Sequence, residues 1–213
     1  MSQQNKVSNS YLSKFKSWLR GDDIEKESSG YLIGNIFDAI YTDTNKVNLL
    51  TNEYYNNDET ILFTNEDSKR IMAMCRSLDK YIDNIQGMKH LFYKSIKQAK
   101  FEKEYLFTDG IIDSKIILTS RYDLIVPSKI GFDIKTTQAK TLKQFKDACM
   151  YFDYDRARYI YAHTSNTKKD YILGVQSNDP YNIYLINSEN ENYYKSGKEK
   201  LDSLLIKLFY YIL

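Results

Sequence analysis

Apolar residues in the first hundred positions recur every three or four residues, which is the spacing of one face of an amphipathic helix. Four such patterns predict helices beginning near Tyr11, Tyr31, Asn65 and Met88. Ser8 or Ser10 can cap the first helix, Asn65 can cap the third, and the fourth is predicted to reach about Lys100. Charged and polar residues predict loops at 21–30 and 45–57, and residues 60–63 predict a short strand.

After residue 100 the pattern changes to runs of β-branched and aromatic residues that have the length of strands. Three runs, joined by Asp-Gly and Pro-Ser-Lys turns, predict a meander over Glu104–Phe107, Lys115–Val126 and Ile130–Thr136. Two helical stretches, two further strands and an amphipathic helix from Lys198 to Leu213 follow. This order predicts an α/β fold in which a central mixed β-sheet is flanked by helices.

The composition, 42% hydrophobic and 27% charged, is typical of a globular protein and excludes a disordered chain. No run approaches the roughly 18 apolar residues of a membrane-spanning helix, and the polar first residues lack the apolar core of a secretory signal. We therefore expect a cytoplasmic protein with no membrane partner. Two cysteines exclude a four-thiolate metal site, and a net charge of +2 leaves nucleic-acid binding to local basic patches.

The most informative segment is a predicted hairpin that carries two aspartates and a lysine. Alternate residues of a strand share a face, so Asp133 and Lys135 point the same way while Phe132 and Ile134 point into the core. A turn over residues 127–129 pairs position 126 with position 130 and places Asp123 opposite Asp133. The Cβ atoms of such a cross-strand pair are about 5 Å apart.

Two carboxylates at this separation repel unless a cation lies between them. A divalent ion such as Mg2+ takes oxygen ligands and retains some water, which suits a site of one or two carboxylates. A neighbouring lysine can orient or help deprotonate an attacking water, or neutralise charge on a phosphate. From these residues alone, a metal site and a surface hairpin with a Lys–Asp ion pair both remain open.

The segment RYDLIVPSKIGFDIKTT, residues 121–137, resembles the core of PD-(D/E)XK nucleases, specifically the phage and RecE-like exonuclease branch related to the lambda exonuclease and RecB nuclease domains. Further segments resemble that branch in the same order: VSNSYLSKF, GYLIGNIFDAIYTD, KEYLF, FDYDRARYIY and GKEKLDSLL. The resemblance implies a restriction-endonuclease-like core after an N-terminal helical region. It also implies one nuclease domain over 1–213, with a mainly helical part at 1–100, the catalytic sheet and helices at 101–187, and a closing helix at 188–213.

The resemblance also assigns roles to individual positions. The catalytic set is Asp123, Asp133, Lys135 and Glu104, although Glu104 can equally be an exposed strand residue. The metal set is Asp38, Asp123, Asp133 and the backbone carbonyl of Ile134, with Mg2+ as the cofactor and Mn2+ as a substitute. The predicted DNA contacts are Arg121, Lys140, Lys143, Arg158 and Tyr161.

Two positions at which the chain departs from the pattern of the PD-(D/E)XK relatives bear on DNA binding, and so do two runs of lysines. Ala157 stands where relatives carry glutamine, and Arg158 beside it is expected to bind phosphate instead; Thr119 stands where relatives often carry a basic residue. Lysines at three-residue spacing predict basic helix faces at 94–103 and 140–146. A solvated surface is the simpler explanation of both lysine runs, and the second run would flank the predicted metal.

The resemblance implies a Mg2+-dependent deoxyribonuclease, and the phage-type branch implies an exonuclease acting on linear double-stranded DNA ends in recombination. The expected partners are DNA, a single-strand annealing protein and further copies of the chain in a homo-oligomer, in the bacterial host cytoplasm if a phage encodes the chain. The alternative is a catalytically inactive protein of the same fold that binds DNA or serves in assembly. The complete D…D-x-K set argues against this alternative, and the missing glutamine argues for it.

Overall fold

A computed structural model describes residues 6–22, 29–127, 129–189 and 192–212 of the chain. Its N-terminal elements are β1 (Lys6–Ser8), α1 (Asn9–Arg20), α2 (Ser29–Thr42), β2 (Val47–Asn48), β3 (Glu53–Asn56), β4 (Glu59–Leu62), α3 (Asn65–Asn84) and α4 (Met88–Lys94). The remaining elements are β5 (Ile96–Thr108), β6 (Asp113–Val126), β7 (Ile130–Thr137), α5 (Leu142–Tyr151), α6 (Tyr154–Ser165), β8 (Lys169–Gln176), β9 (Ile183–Asn187) and α7 (Tyr193–Ile212).

The central sheet has six strands in the order β1-β6-β7-β8-β9, with β5 also paired to β6. The β1–β6 and β7–β8 pairs are parallel, whereas the β5–β6, β6–β7 and β8–β9 pairs are antiparallel. A separate three-stranded sheet is formed by β2, β3 and β4. The predicted mixed sheet flanked by helices is therefore confirmed, and none of the described helices is long and apolar enough to cross a membrane.

The core consists of three apolar clusters on the central sheet. The largest joins α2 and α3 to Leu124, Phe132 and Ile134, so the predicted inward direction of Phe132 and Ile134 is confirmed. A second joins α6 and α7 to Leu118 and Tyr105 on the long β5–β6 pair, and a third packs α5 against β8 and β9. Burial of these side chains is the main favourable term that holds the helices on the sheet.

Local signals set several helix ends. The Ser8 hydroxyl accepts a hydrogen bond from the Tyr11 N–H, which satisfies a free donor of the first turn of α1. Thr64, and not Asn65 as predicted, caps α3, and Asp67 completes a reciprocal capping box. At the other end of α1, Gly21 adopts the left-handed conformation that terminates many helices.

The structure corrects the prediction for residues 45–57 and 88–100. The first segment contains a short 3₁₀ turn, β2 and β3, which is more structure than the predicted loop. Helix α4 ends at Lys94, and β5 begins at Ile96, so the lysines at 97, 100 and 103 lie on a strand. The cause is long-range: β5 pairs with β6 from Ile96 to Thr108, and that ladder outweighs the local helical spacing. Of the loop predicted at 21–30, residues 23–28 lie outside the described residues.

Candidate active site

The predicted turn register is present, and it brings the two hairpin aspartates to the point where the β6–β7 ladder ends. Val126 pairs with Ile130, and the last pair of the ladder is Leu124 with Phe132. Beyond it the Asp123 side chain takes the place of a backbone acceptor, because Oδ2 accepts a hydrogen bond from the Ile134 N–H at 2.8 Å. Both carboxylates are buried, Asp123 at 9% exposure and Asp133 at 4%.

The Lys135 ammonium lies among the three hairpin groups predicted to bind a metal. Its Nζ is 2.7 Å from Asp133 Oδ2 and 3.9 Å from Asp123 Oδ2. It also donates a hydrogen bond to the backbone carbonyl of Ile134 at 3.3 Å. These oxygen atoms therefore converge on one cationic position, which Lys135 occupies here.

The two carboxylates have pKa values that move in opposite directions. Burial and the neighbouring charge of Asp133 raise the pKa of Asp123 well above its ordinary value. Burial also acts to raise the pKa of Asp133, but Arg158 and Lys135 outweigh it and hold that pKa below its usual range. Burial acts to lower the pKa of Lys135, yet Asp133 and Asp123 raise it above its ordinary value. Lys135 is therefore an ammonium here, able to donate hydrogen bonds but not to accept a proton.

Arg158 is the buried cation behind Asp133. Its Nη2 forms an ion pair with Asp133 Oδ1 at 3.2 Å without hydrogen-bond geometry, and its Nη1 donates to Asp170 Oδ1 at 3.2 Å. The guanidinium also lies over the Tyr161 ring at 4.2 Å and the Tyr122 ring at 5.5 Å from their centroids. With 1% exposure Arg158 is buried in this structure, which argues against the predicted phosphate contact.

Helix α2 brings Asp38 close to the hairpin aspartates and Lys135. Gly34 lies one turn earlier on the same helix face, and a Cβ there would be 2.9 Å from Thr136 Oγ1. The missing side chain thus lets α2 approach β7 closely, a packing signal that local sequence does not reveal. Asp38 Oδ2 accepts a hydrogen bond from the Thr42 hydroxyl at 3.4 Å, while Oδ1 is buried without a hydrogen-bond partner. Burial raises the pKa of Asp38, and Lys135 partly opposes that shift.

These side chains line one cavity of about 790 Å³. Its wall includes Asp38, Asp123, Asp133, Lys135, Arg121 and Tyr161 from the predicted set. Two cations, Lys100 and Arg121, face each other across the β5–β6 pair and also line an adjoining cavity of about 580 Å³. Neither forms an ion pair with any other residue that the structure describes, so both are available to an anionic ligand.

Besides the buried Arg158, three predicted residues lie outside the cavity. Glu104 pairs with Ile117, six residues from Asp123 and therefore about 20 Å away along β6. It is exposed and forms an ion pair with Lys115, which favours the alternative of an exposed strand residue. Glu102 is the β5 carboxylate that lines the cavity. Lys140 and Lys143 are exposed around the start of α5, away from the carboxylates.

The oxygen donors of the cavity fit a hard divalent cation. Asp38 Oδ1 is buried without a partner, and the hairpin oxygens already converge on a cation, which are two features of a site that can take Mg2+. Across the described parts of the chain, however, no three His, Cys, Asp or Glu side chains form a group arranged to hold a metal ion. In this structure the Lys135 ammonium, 2.7 Å from Asp133 Oδ2, is the cation that these oxygen atoms surround.

Comparison with solved structures finds this fold in a protein from Eubacterium rectale that is provisionally named an exonuclease. The match has 16% identity and a TM-score of 0.59, and it covers 91% of this chain and 71% of that one. An alkaline exonuclease from Laribacter hongkongensis matches over 96% of this chain and 90% of its own at 12% identity, but its TM-score of 0.34 is too low to support an argument. No protein-family profile matches the sequence, and no curated protein is significantly similar to it. The comparison establishes a shared fold for the chain and the Eubacterium rectale protein.

Proposed function

We propose that the chain is a metal-dependent deoxyribonuclease that hydrolyses phosphodiester bonds at the Asp123–Asp133–Lys135 face. The supporting observation is the convergence of two buried carboxylates and the Ile134 carbonyl on one cationic position in an open cavity. The unpaired cations Lys100 and Arg121 at the same cavity suit a polyanionic substrate. The exonuclease name of the Eubacterium rectale protein agrees with this proposal.

Asp38, Asp123, Asp133 and the Ile134 carbonyl would hold the ion, with Mg2+ as the expected metal and Mn2+ as a substitute. When bound, Mg2+ supplies Lewis-acid activation of the phosphate and a water of lowered pKa. Lys135 then faces the phosphate, where its ammonium stabilises the negative charge that develops during the reaction. Arg158 keeps Asp133 ionised and oriented, while Lys100 and Arg121 hold backbone phosphates.

The finer identity of the substrate follows from the sequence resemblance. We infer that the enzyme is a phage-type exonuclease that digests linear duplex DNA from its ends, in recombination or DNA processing. A single-strand annealing protein and further copies of the chain are the inferred partners, in the cytoplasm. The proposal that the chain hydrolyses phosphodiester bonds does not depend on these inferences about the DNA ends, the pathway and the partners.

The test is the release of acid-soluble nucleotides from linear duplex DNA by the wild-type protein. We expect release with Mg2+ or Mn2+, no release with EDTA, and no release from a covalently closed circle of the same sequence. Rapid cutting of the closed circle would support a nuclease but would show that it is an endonuclease and not an exonuclease. No cleavage of any DNA with either metal would reject hydrolysis.

The second candidate is an inactive DNA-binding or assembly module. The observation in its favour is the position of Lys135, whose ammonium neutralises Asp133 in a region without a three-residue metal group among the described side chains. Such a protein would bind DNA with an affinity independent of Mg2+ and leave it intact. The nucleotide-release assay, run beside a DNA-binding titration, separates the two functions.

A further inference from the structure

A further, smaller cavity lies beside the catalytic one, and its lining is mostly apolar. It has a volume of about 330 Å³, within the size range of small-ligand sites. Thr136 and Tyr154 line both cavities, so the two are adjacent. Its other walls are largely apolar and include Ala139, Ala148 and the rings of Phe145 and Phe152.

The aromatic side of this cavity faces solvent. Phe152 is 58% exposed although its ring stacks nearly parallel to Tyr154, at 6.0 Å between centroids and 29° between planes. Tyr154 in turn lies 5.9 Å from Lys135 Nζ. These two distances limit the Phe152 ring to within about 12 Å of the catalytic ammonium. A base stacked on Phe152 and a phosphate bound at Lys135 are therefore close enough to belong to the same nucleic-acid strand.

Polar groups line part of the same cavity, and cations line the cavity beside it. Gln144 lines it and uses its carbonyl oxygen to accept a hydrogen bond from the Lys140 N–H, which leaves the amide nitrogen as a donor. Lys140 and Lys143 are exposed at the start of α5, and neither lines this cavity. The adjoining catalytic cavity is lined by Lys100, Arg121 and Lys135. An exposed aromatic face and an amide donor beside a cationic cavity suit a nucleotide better than an apolar peptide.

We propose that this cavity binds one unpaired nucleobase of the substrate strand, stacked on Phe152, while a neighbouring phosphate lies at Lys135. In a duplex both faces of a base are stacked and its pairing edge is used, so only a frayed or single-stranded base can enter. The proposal rests on the proposed nuclease function and deepens it. The preferred substrate is a strand end with an unpaired base, and Phe152 is a binding residue that contributes to that preference.

The test measures binding of fluorescent oligonucleotides in EDTA, so that cleavage plays no part. Stacking on an aromatic ring contributes strongly to single-strand affinity, and we expect Phe152→Ala to weaken binding of a single strand by about 5- to 100-fold. Affinity for a fully paired duplex with hairpin-closed ends should change little. Phe152→Trp should restore single-strand binding, and Tyr93→Ala, which removes an exposed ring of α4 that does not line the cavity, should leave it unchanged.

Abasic substitutions along the oligonucleotide locate the stacked base. One position should weaken wild-type binding by the same factor as Phe152→Ala and have no further effect in that variant. Equal affinities of wild type and Phe152→Ala, or an abasic effect that persists in the variant, would overturn the proposal. If either result is found while the wild-type protein still cleaves DNA in the nucleotide-release assay, only the nucleobase site is rejected. If the wild-type protein binds no oligonucleotide at all, the proposed nuclease function is rejected as well.

Discussion

Asp123 and Asp133 lie at corresponding points of adjacent strands, but their surroundings differ in available cations. Asp133 has Lys135 on one oxygen and Arg158 on the other, whereas Asp123 has a backbone N–H and a more distant Lys135. The pKa of Asp123 is therefore raised and that of Asp133 is lowered. One carboxylate is held as an anion, and the other retains a proton more readily until a further cation arrives.

This difference predicts a pH-dependent metal requirement. A divalent ion must displace the proton from Asp123, and protonation increases as the pH falls towards and below its raised pKa. The Mg2+ concentration for half-maximal cleavage should therefore rise as the pH is lowered. Mg2+ titrations at several pH values measure it, and a requirement that stays constant across the titrations would remove Asp123 from the metal site.

Asp38 gives a prediction that separates a ligand from a surface carboxylate. Asp38→Ala should raise the Mg2+ requirement for cleavage, because it removes the buried, unpartnered Oδ1 from the cavity. Asp38→His should retain more activity than Asp38→Ala, particularly with Mn2+, since imidazole suits the softer ion. Asp83→Ala, which removes an exposed carboxylate from α3, is the matched control. An unchanged metal titration in Asp38→Ala would leave the two hairpin aspartates as the side-chain ligands.

Arg158 should contribute to stability as well as to the site. Arg158→Ala leaves Asp133 and Asp170 buried without their shared cation, and loss of one partner of a buried ion pair costs about 3–5 kcal/mol. Arg158→Lys should also destabilise the protein, because one ammonium cannot reproduce the planar fork that bridges both carboxylates. Urea unfolding measures both variants. Arg121→Ala, at an exposed position, should stay within about 0.5 kcal/mol, and a similarly small effect at Arg158 would contradict the proposed role.

At the scale of elements, α7 fixes α6, the helix that carries Arg158 and Tyr161. The two helices pack closely at Gly197, where a Cβ would clash with the backbone oxygen of Asp155 and crowd Tyr159 Cβ. A backbone oxygen cannot rotate away as a side chain can. The position of α6, and hence of the buried guanidinium, therefore depends on a residue of α7 that has no side chain.

Gly197→Ala tests this contact through two opposing effects. Alanine favours a helix over glycine by up to about 1 kcal/mol, whereas overpacking costs about 1–3 kcal/mol. We expect net destabilisation because the clash involves backbone. Ser203→Ala, at an exposed position of the same helix, should be neutral or stabilising in the same urea experiment. A Gly197→Ala protein as stable as wild type would indicate that α7 moves freely on α6.

Elements whose signals are local could be predicted from the sequence, and elements fixed by distant partners could not. The β6–β7 hairpin was predictable because the turn after Val126 and the alternation of Phe132 and Ile134 are contained in one short segment. The start of β5 was not, because Lys97 and Lys100 follow helical spacing and only the pairing with β6 makes them a strand. Strands β2 and β3 were missed for a similar reason, since their polar residues resemble a loop, whereas the strand predicted at 60–63 corresponds to β4.

At the scale of the whole molecule, the candidate site joins residues that lie far apart in the sequence. The resemblance linked Asp38 to the hairpin, and packing of α2 against β7 places it there. The sequence could not reveal that Arg158 is buried between Asp133 and Asp170, because that burial depends on the packing of α6, β7 and β8 together. Arg158 was therefore assigned to DNA binding. The distance between Glu104 and Asp123 is set by the β5–β6 register, which the sequence does not reveal. Glu104 was therefore assigned to catalysis on the resemblance alone.

The central claim is that Lys135 and the two hairpin carboxylates form a hydrolytic centre, and Lys135→Ala tests it most directly. The measurement is the initial rate of nucleotide release from linear duplex DNA in saturating Mg2+, at equal DNA occupancy. We expect a fall of about 100-fold or more, the usual effect of losing a group that stabilises transition-state charge, with DNA affinity and thermal midpoint largely retained. Lys129→Ala, an exposed lysine at the turn of the same hairpin, should cleave at the wild-type rate. A Lys135→Ala rate within a few-fold of wild type would contradict the claim.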